Sequence, residues 1–170
     1  PLLDYGLIRS HPKVLIGYSD ITSLHLAVHK LAGMVTYHGA VATSTFNDYS
    51  TRYLKATLGR PAPVGMIETP EKALPMMIWP DRAPEVVPGP LVGGHLTLGC
   101  ASLGTPYEID TAGKVLFLEE TGEEPYDLDR MLTQLGQSGK LQAAAAILVD
   151  RCVNCKPAEY KPAFNNTMST

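Results

Sequence analysis

The spacing of apolar positions along this chain changes several times, and each change marks an element. Val14-Leu15-Ile16 is a short β-branched and aliphatic run; after Gly17-Tyr18-Ser19-Asp20, apolar residues recur at Ile21, Leu24, Val28 and Leu31. That pattern predicts a strand, a tight turn and a helix whose buried face carries those four residues. Asp20 is expected to cap the helix as an acceptor, and Gly33 to end it. Met34 to Tyr37 predicts a second strand, and Tyr49 to Leu58 a helix closed by Gly59. Farther on, Leu91-Val92-Gly93-Gly94-His95 leads into a short apolar helix through Leu96, Leu98 and Leu103, stopped by Gly104-Thr105-Pro106. Lys114 to Leu118 predicts a buried strand running straight into Glu119 and Glu120. After Pro125, the face Tyr126, Leu128, Met131, Leu132 and Leu135 predicts a helix ended by Gly136 and Gly139, and Ala143 to Val149 the next buried strand. Strands alternating with helices predict an α/β fold with parallel pairing and helices on the sheet faces.

Eight of the 14 prolines fall between Pro61 and Pro90, where no long regular element can persist. Short extended pieces are expected there at Gly65 to Glu68 and Met76 to Trp79. The stretch divides the chain into an amino-terminal lobe, 1–60, a Pro-rich connection, 61–88, and a carboxyl-terminal lobe, 89–170. The chain opens at Pro1 on an apolar-rich segment, and it is expected to be a piece of a longer protein.

The composition, 45% hydrophobic and 18% charged, fits a chain with an ordinary core and excludes a disordered acidic tail or a coiled coil. A formal charge of -3 with scattered Lys and Arg gives no footprint for nucleic acid, so no polynucleotide partner is expected. No apolar run approaches the roughly 20 residues that cross a bilayer, and no membrane association is expected. Cys100, Cys152 and Cys155 are an odd set in a chain of this kind, which points to reduced thiols and a cytoplasmic setting. Cys152 and Cys155 form one C-x-x-C pair, but a structural zinc site needs four ligands, and no second such pair completes one. They are expected to be incidental thiols.

Ser19 is the first candidate for chemistry. A tight strand-to-helix bend lifts a hydroxyl above the sheet edge and aims the next backbone N–H, here that of Asp20, at a developing oxyanion. Gly17-Tyr18-Ser19-Asp20-Ile21 lacks the second glycine of a G-x-S-x-G elbow, so on this pattern Ser19 reads first as a turn or cap residue and second as a nucleophile. Glu119 and Glu120 lie where ligands gather in open α/β sheets, at a strand's carboxyl end. They read either as solvated acids or as a carboxylate that orients a histidine. His25 and His29 are four apart on one helix, but a metal pair needs a third ligand, and both read as ordinary exposed or core imidazoles. His11 is a further imidazole, and His38 and His95 are assigned to loops, where function concentrates.

Several stretches together add to this reading. Lys13 through His25, Thr36-Tyr37-His38-Gly39, Leu91 through Leu96, Gly104-Thr105-Pro106-Tyr107-Glu108, Leu116-Phe117-Leu118-Glu119-Glu120 and Tyr126 through Leu132 resemble, in order and spacing, the L,D-carboxypeptidases of the serine peptidase family that includes muramoyltetrapeptide carboxypeptidase. The resemblance runs from about Leu2 to Cys155. It implies the end of a Rossmann-like amino-terminal lobe joined to a smaller α/β carboxyl-terminal lobe. It also implies a cytoplasmic hydrolase of murein recycling that removes terminal D-alanine from a muropeptide tetrapeptide through a Ser-Glu-His triad, without metal or cofactor. On this resemblance Ser19 is the nucleophile, the Asp20 N–H one oxyanion donor and Glu119 the triad acid, with His38 and His95 as substrate contacts.

The departures are specific. No histidine follows His95, so the triad base is expected outside this chain, and so is the family's glycine-rich amino-terminal segment. His95 stands where the family places asparagine, and Ala40 where His-Gly is usually followed by proline. The muropeptide is the expected partner, with a second copy of the chain as a possible one. Two rival readings remain: a microcin-type self-immunity peptidase, for which Trp79 is the one tryptophan available to stack on a base, and a catalytically inactive binding fragment.

Overall fold

The computed structural model describes residues 2–70, 73, 76–79 and 86–157. It is a mixed α/β structure with parallel strands, as the alternating pattern predicts. Tyr5–Ser10 forms a short helix, α1, capped by the Asp4 carboxylate, which accepts the Leu7 N–H at 2.9 Å. Strand β1 is Ile16–Gly17, helix α2 is Ile21–Ala32, and β2 is Tyr37–His38. β1 and β2 pair in parallel, Ile16 with Tyr37 and Gly17 with His38. Helix α3, Asp48–Leu58, follows and is capped by Asn47.

The larger sheet has the order β3-β4-β5, all parallel, from Leu91–His95, Val115–Thr121 and Ala146–Val153. Helix α4, Leu96–Ala101, leaves directly from the end of β3. Helix α5, Pro125–Gln137, and the one-turn α6, Lys140–Ala143, lie between β4 and β5. The core is Val92, Leu96, Cys100, Ile109, Leu116, Leu118, Met131 and Leu135, together with Leu26 from α2. Helix α2 is therefore packed into the larger sheet's core as well as beside its own strand pair. Among the described residues no helix is long and apolar enough to cross a membrane.

Several expectations change. The first two strands are shorter than predicted and displaced toward their carboxyl ends, because pairing is confined to two residues of each. Leu91–His95 is a strand, although two glycines mask its pattern, so His95 and His38 end strands instead of lying in loops. The fifth strand begins later, at Ala146, because α6 takes Lys140–Ala143. Gly65–Glu68 and Met76–Trp79 are not strands, and Glu68 is tied to α3 through Tyr49, Arg52 and Tyr53. Asp20 does not cap α2 through its side chain; its backbone is already in the helical region, at φ -53°, instead of the extended conformation typical of a capping residue. On α2 the buried set is Thr22, His25, Leu26, Ala27, Val28 and Ala32, while Leu24 is exposed. On α5, Tyr126 and Leu132 face outward, and Met131 and Leu135 face the core.

Candidate active site

The turn between β1 and α2 holds Ser19 in the left-handed region, at φ +56°, one of two non-glycine residues so placed among those described. For a side chain with a Cβ this conformation costs roughly 1 kcal/mol or more and persists only where the surroundings impose it. Three constraints do so here. Ile21 N–H donates to the Tyr18 carbonyl at 3.2 Å and Thr22 N–H to the Ser19 carbonyl at 2.9 Å, which winds the helix start tightly around the serine. The Asp20 N–H precedes this ladder, at the helix's positive end. Gly17 permits the bend, since a Cβ there would lie 2.7 Å from the Ile21 side chain. His25, buried one turn into α2, places Nε2 3.0 Å from the Gly17 carbonyl and so ties the helix back to the strand end. His25 is thus a core imidazole that braces the bend.

The two acids at the end of β4 have opposite surroundings because strand side chains alternate between faces. Glu120 shares the face of Leu116 and Leu118 and is 1% exposed. It is no solvated acid. Oε2 accepts the Thr97 N–H at 3.0 Å and the Thr97 hydroxyl at 2.8 Å, and Oε1 accepts the Thr121 N–H at 2.8 Å. His95 Nε2 lies 3.0 Å from the same Oε1. The sequence gives no sign of this network, since nothing in Thr97 or Thr121 alone announces a carboxylate partner.

Glu119 points the other way. Its Oε1 is buried without a hydrogen bond, and His38 Nε2 is 3.7 Å from it, beyond hydrogen-bond range. The His38 ring meets Phe117 edge-on, with centroids 5.5 Å apart. Burial, with the nearby His25 and His95, holds the His38 imidazole below its ordinary range, against an opposing pull from Asp150. Burial raises the Glu119 carboxyl, with Glu120 and Asp150 adding and His95 opposing. Each shift disfavours the charged form of its own group, so burial weakens any ion pair between the two.

One contact joins the elbow to this strand end. The His95 N–H donates to Thr22 Oγ1 at 3.1 Å, and Thr22 is fully buried three residues after Ser19. Gly94, at φ +136°, allows the approach: a Cβ there would stand 2.6 Å from Thr22 Oγ1 and 3.2 Å from His38 Nδ1. Ser19, with the Asp20 N–H, thus lies one helical turn from the joint that His38, His95 and Glu119 surround. His29 is elsewhere, lining a cavity of about 200 Å³ with Lys30, Glu108 and Lys114. Cys152 lies on β5 and Cys155 just beyond it, while burial pushes the Cys100 thiol up to about 11, with Glu120 adding. No group of three metal-ligating side chains occurs among the described residues.

Family models place this architecture. The LD-carboxypeptidase N-terminal domain matches residues 1–39 and the LD-carboxypeptidase C-terminal domain residues 88–169. The chain belongs to the LD-carboxypeptidase family. Two curated relatives agree with that membership. The probable murein peptide carboxypeptidase of Bacillus subtilis is 44% identical over 164 residues, which is 96% of this chain and 50% of the relative. The murein tetrapeptide carboxypeptidase of Pseudomonas aeruginosa is 33% identical, over 94% of this chain and 53% of its own length. Among solved structures, muramoyltetrapeptide carboxypeptidase from Oxalobacter formigenes superposes with a TM-score of 0.74 at 26% identity, covering 95% of this chain and 54% of that one. The chain spans about half the length of the curated relatives it matches, consistent with part of a two-lobed LD-carboxypeptidase.

Proposed function

We propose that this chain carries the nucleophile and the acid of a serine peptidase of the L,D-carboxypeptidase type, which releases terminal D-alanine from muropeptide tetrapeptides in cytoplasmic peptidoglycan recycling. The observation that carries the reading is the left-handed Ser19 at a strand-to-helix bend. A turn residue needs no such strain, whereas a nucleophile held clear of its own helix does. In this reading the Ser19 hydroxyl attacks the carbonyl of the bond between the L-centre and D-alanine, and the Asp20 N–H receives the oxyanion. A histidine from outside these 170 residues takes the serine proton and passes it to the departing amine. Water then attacks the acyl-enzyme, losing a proton to the same histidine, which delivers it to the Ser19 oxygen as the ester bond breaks and the carboxylic acid product leaves. Glu119 orients that histidine, and its partly buried carboxylate beside the joint, with Oε1 unpartnered, supports the role. In this reading the Pro-rich stretch is the boundary between two lobes, with Ser19 belonging to the first and Glu119 to the second.

The test is D-alanine release from a murein tetrapeptide by the full-length polypeptide. Turnover that survives Ser19→Ala unchanged defeats the assignment. The 170 residues alone should show at most residual turnover, because triad members act as a unit and only the oxyanion site and binding remain.

A further inference from the structure

We propose that His38 is a positioning residue which donates its Nε2–H to Glu119 Oε1, fixing the carboxylate across the joint and leaving the other oxygen for the catalytic imidazole. The inference rests on the function proposed above, and it moves His38 from substrate contact to support of the acid.

The argument begins with the orphaned oxygen. Glu119 Oε1 is buried and without a hydrogen-bond partner, and an unpaired buried acceptor carries a desolvation penalty that a nearby donor can remove. His38 Nε2 is the imidazole nitrogen in reach, at 3.7 Å, so a displacement of under an ångström completes a hydrogen bond. The ring is already held for that movement. Its backbone is paired to Gly17 at the base of the Ser19 bend, and its face is set edge-on to Phe117, two residues before Glu119 on β4. Nδ1 faces Gly94, where a Cβ would stand 3.2 Å from it. An Nδ1 lone pair on that side and an Nε2–H on the carboxylate side form one consistent tautomer.

Four titratable groups surround the ring: His25 from α2, His95 from the end of β3, Glu119 from β4 and Asp150 from β5. The two histidines oppose a positive charge on His38, and burial does so more strongly. A neutral donor is what such surroundings favour. It can steer a carboxylate without quenching it as a cation would.

Nitrogen-15 NMR of the 170-residue chain, with the His38 ring assigned through His38→Gln, reads the tautomer directly. The expected result near pH 7.5 is protonated Nε2 and unprotonated Nδ1 at His38, with the bias reduced in Glu119→Leu. An Nδ1–H tautomer, or a ring indifferent to Glu119→Leu, overturns the inference. In the full-length polypeptide, His38→Leu should lower kcat roughly 10- to 100-fold, the usual scale for partners that orient a catalytic ligand, with KM nearly unmoved. His38→Gln keeps a donor at a similar reach and should recover most of that loss. A higher KM at unchanged kcat for His38→Leu would return the residue to substrate binding and refute positioning. Should the wild-type protein show the expected tautomer while Ser19 resists an active-site phosphonate, the hydrolase reading fails and the His38–Glu119 contact stands.

Discussion

Replacing each of the two adjacent acids by its amide should give opposite kinds of defect. In Glu120→Gln one carboxylate oxygen becomes an NH2 group facing donors: the Thr97 N–H and hydroxyl on one side, or the Thr121 N–H and His95 Nε2 on the other. Whichever way the amide turns, a part-buried backbone N–H, that of Thr97 or of Thr121, loses its acceptor and meets another donor. With about 1–3 kcal/mol for each unsatisfied buried group, the loss in unfolding free energy is about 2–4 kcal/mol. Glu119 Oε1 accepts no hydrogen bond in the structure, and the His38 Nε2–H can meet an amide oxygen as it would a carboxylate oxygen, so Glu119→Gln should change stability by less than about 1 kcal/mol while removing the carboxylate the reaction needs. Urea unfolding followed by circular dichroism on both variants measures the first effect, and D-alanine release by the full-length polypeptide the second. Equal stability losses in the two variants, or a Glu120→Gln protein as stable as the wild type, would show that the network around Glu120 has been misread.

Other consequences are direct. Ser19→Gly should raise the denaturation midpoint, by roughly 0.5–1 kcal/mol of relieved left-handed strain, while deleting the nucleophile; a destabilised variant would contradict the strained bend. Gly94→Ala should cost about 2–4 kcal/mol by the same unfolding assay, through its positive φ and the crowding of Thr22 Oγ1, and a near-neutral effect would refute the close approach. Because His38 is held below its ordinary value, the unfolded chain binds more protons there as pH falls. Wild-type stability should therefore drop relative to His38→Gln as pH falls through about 6.5 toward the depressed folded value, and pH-dependent urea melts that run parallel would contradict this. Supplying the full-length polypeptide with a murein tetrapeptide and an aminoacyl-nucleotide in competition separates recycling from self-immunity; preferential cleavage of the nucleotide conjugate would overturn the proposed substrate.

The fold class was legible because its strongest signals are local: the Val14–Ile16 run, the apolar spacing after Ser19 and the Leu116–Leu118 core strand. What escaped depends on contacts between distant segments. The Gly93-Gly94 pair makes Leu91–His95 read as a loop leading into a helix, yet those glycines are required because Thr22 and Phe117 press on the strand. Glu119 and Glu120 are alike in the sequence, and only the alternation of β4 sends one into a hydrogen-bonded core and the other to His38. Thr22 and His25 interrupt the apolar pattern of α2 because they face polar groups of β3 and β1, which periodicity counts as a solvent face. Ser19 was found by its setting between strand and helix, and its conformation adds what residue order cannot.

Leu26 lies among Val92, Leu96 and Leu116, on the far side of the proline-rich connection from its own strand pair. A protease nick between Glu68 and Pro88 would therefore cut the backbone without parting the two pieces, which should co-elute as a noncovalent complex and melt in one step.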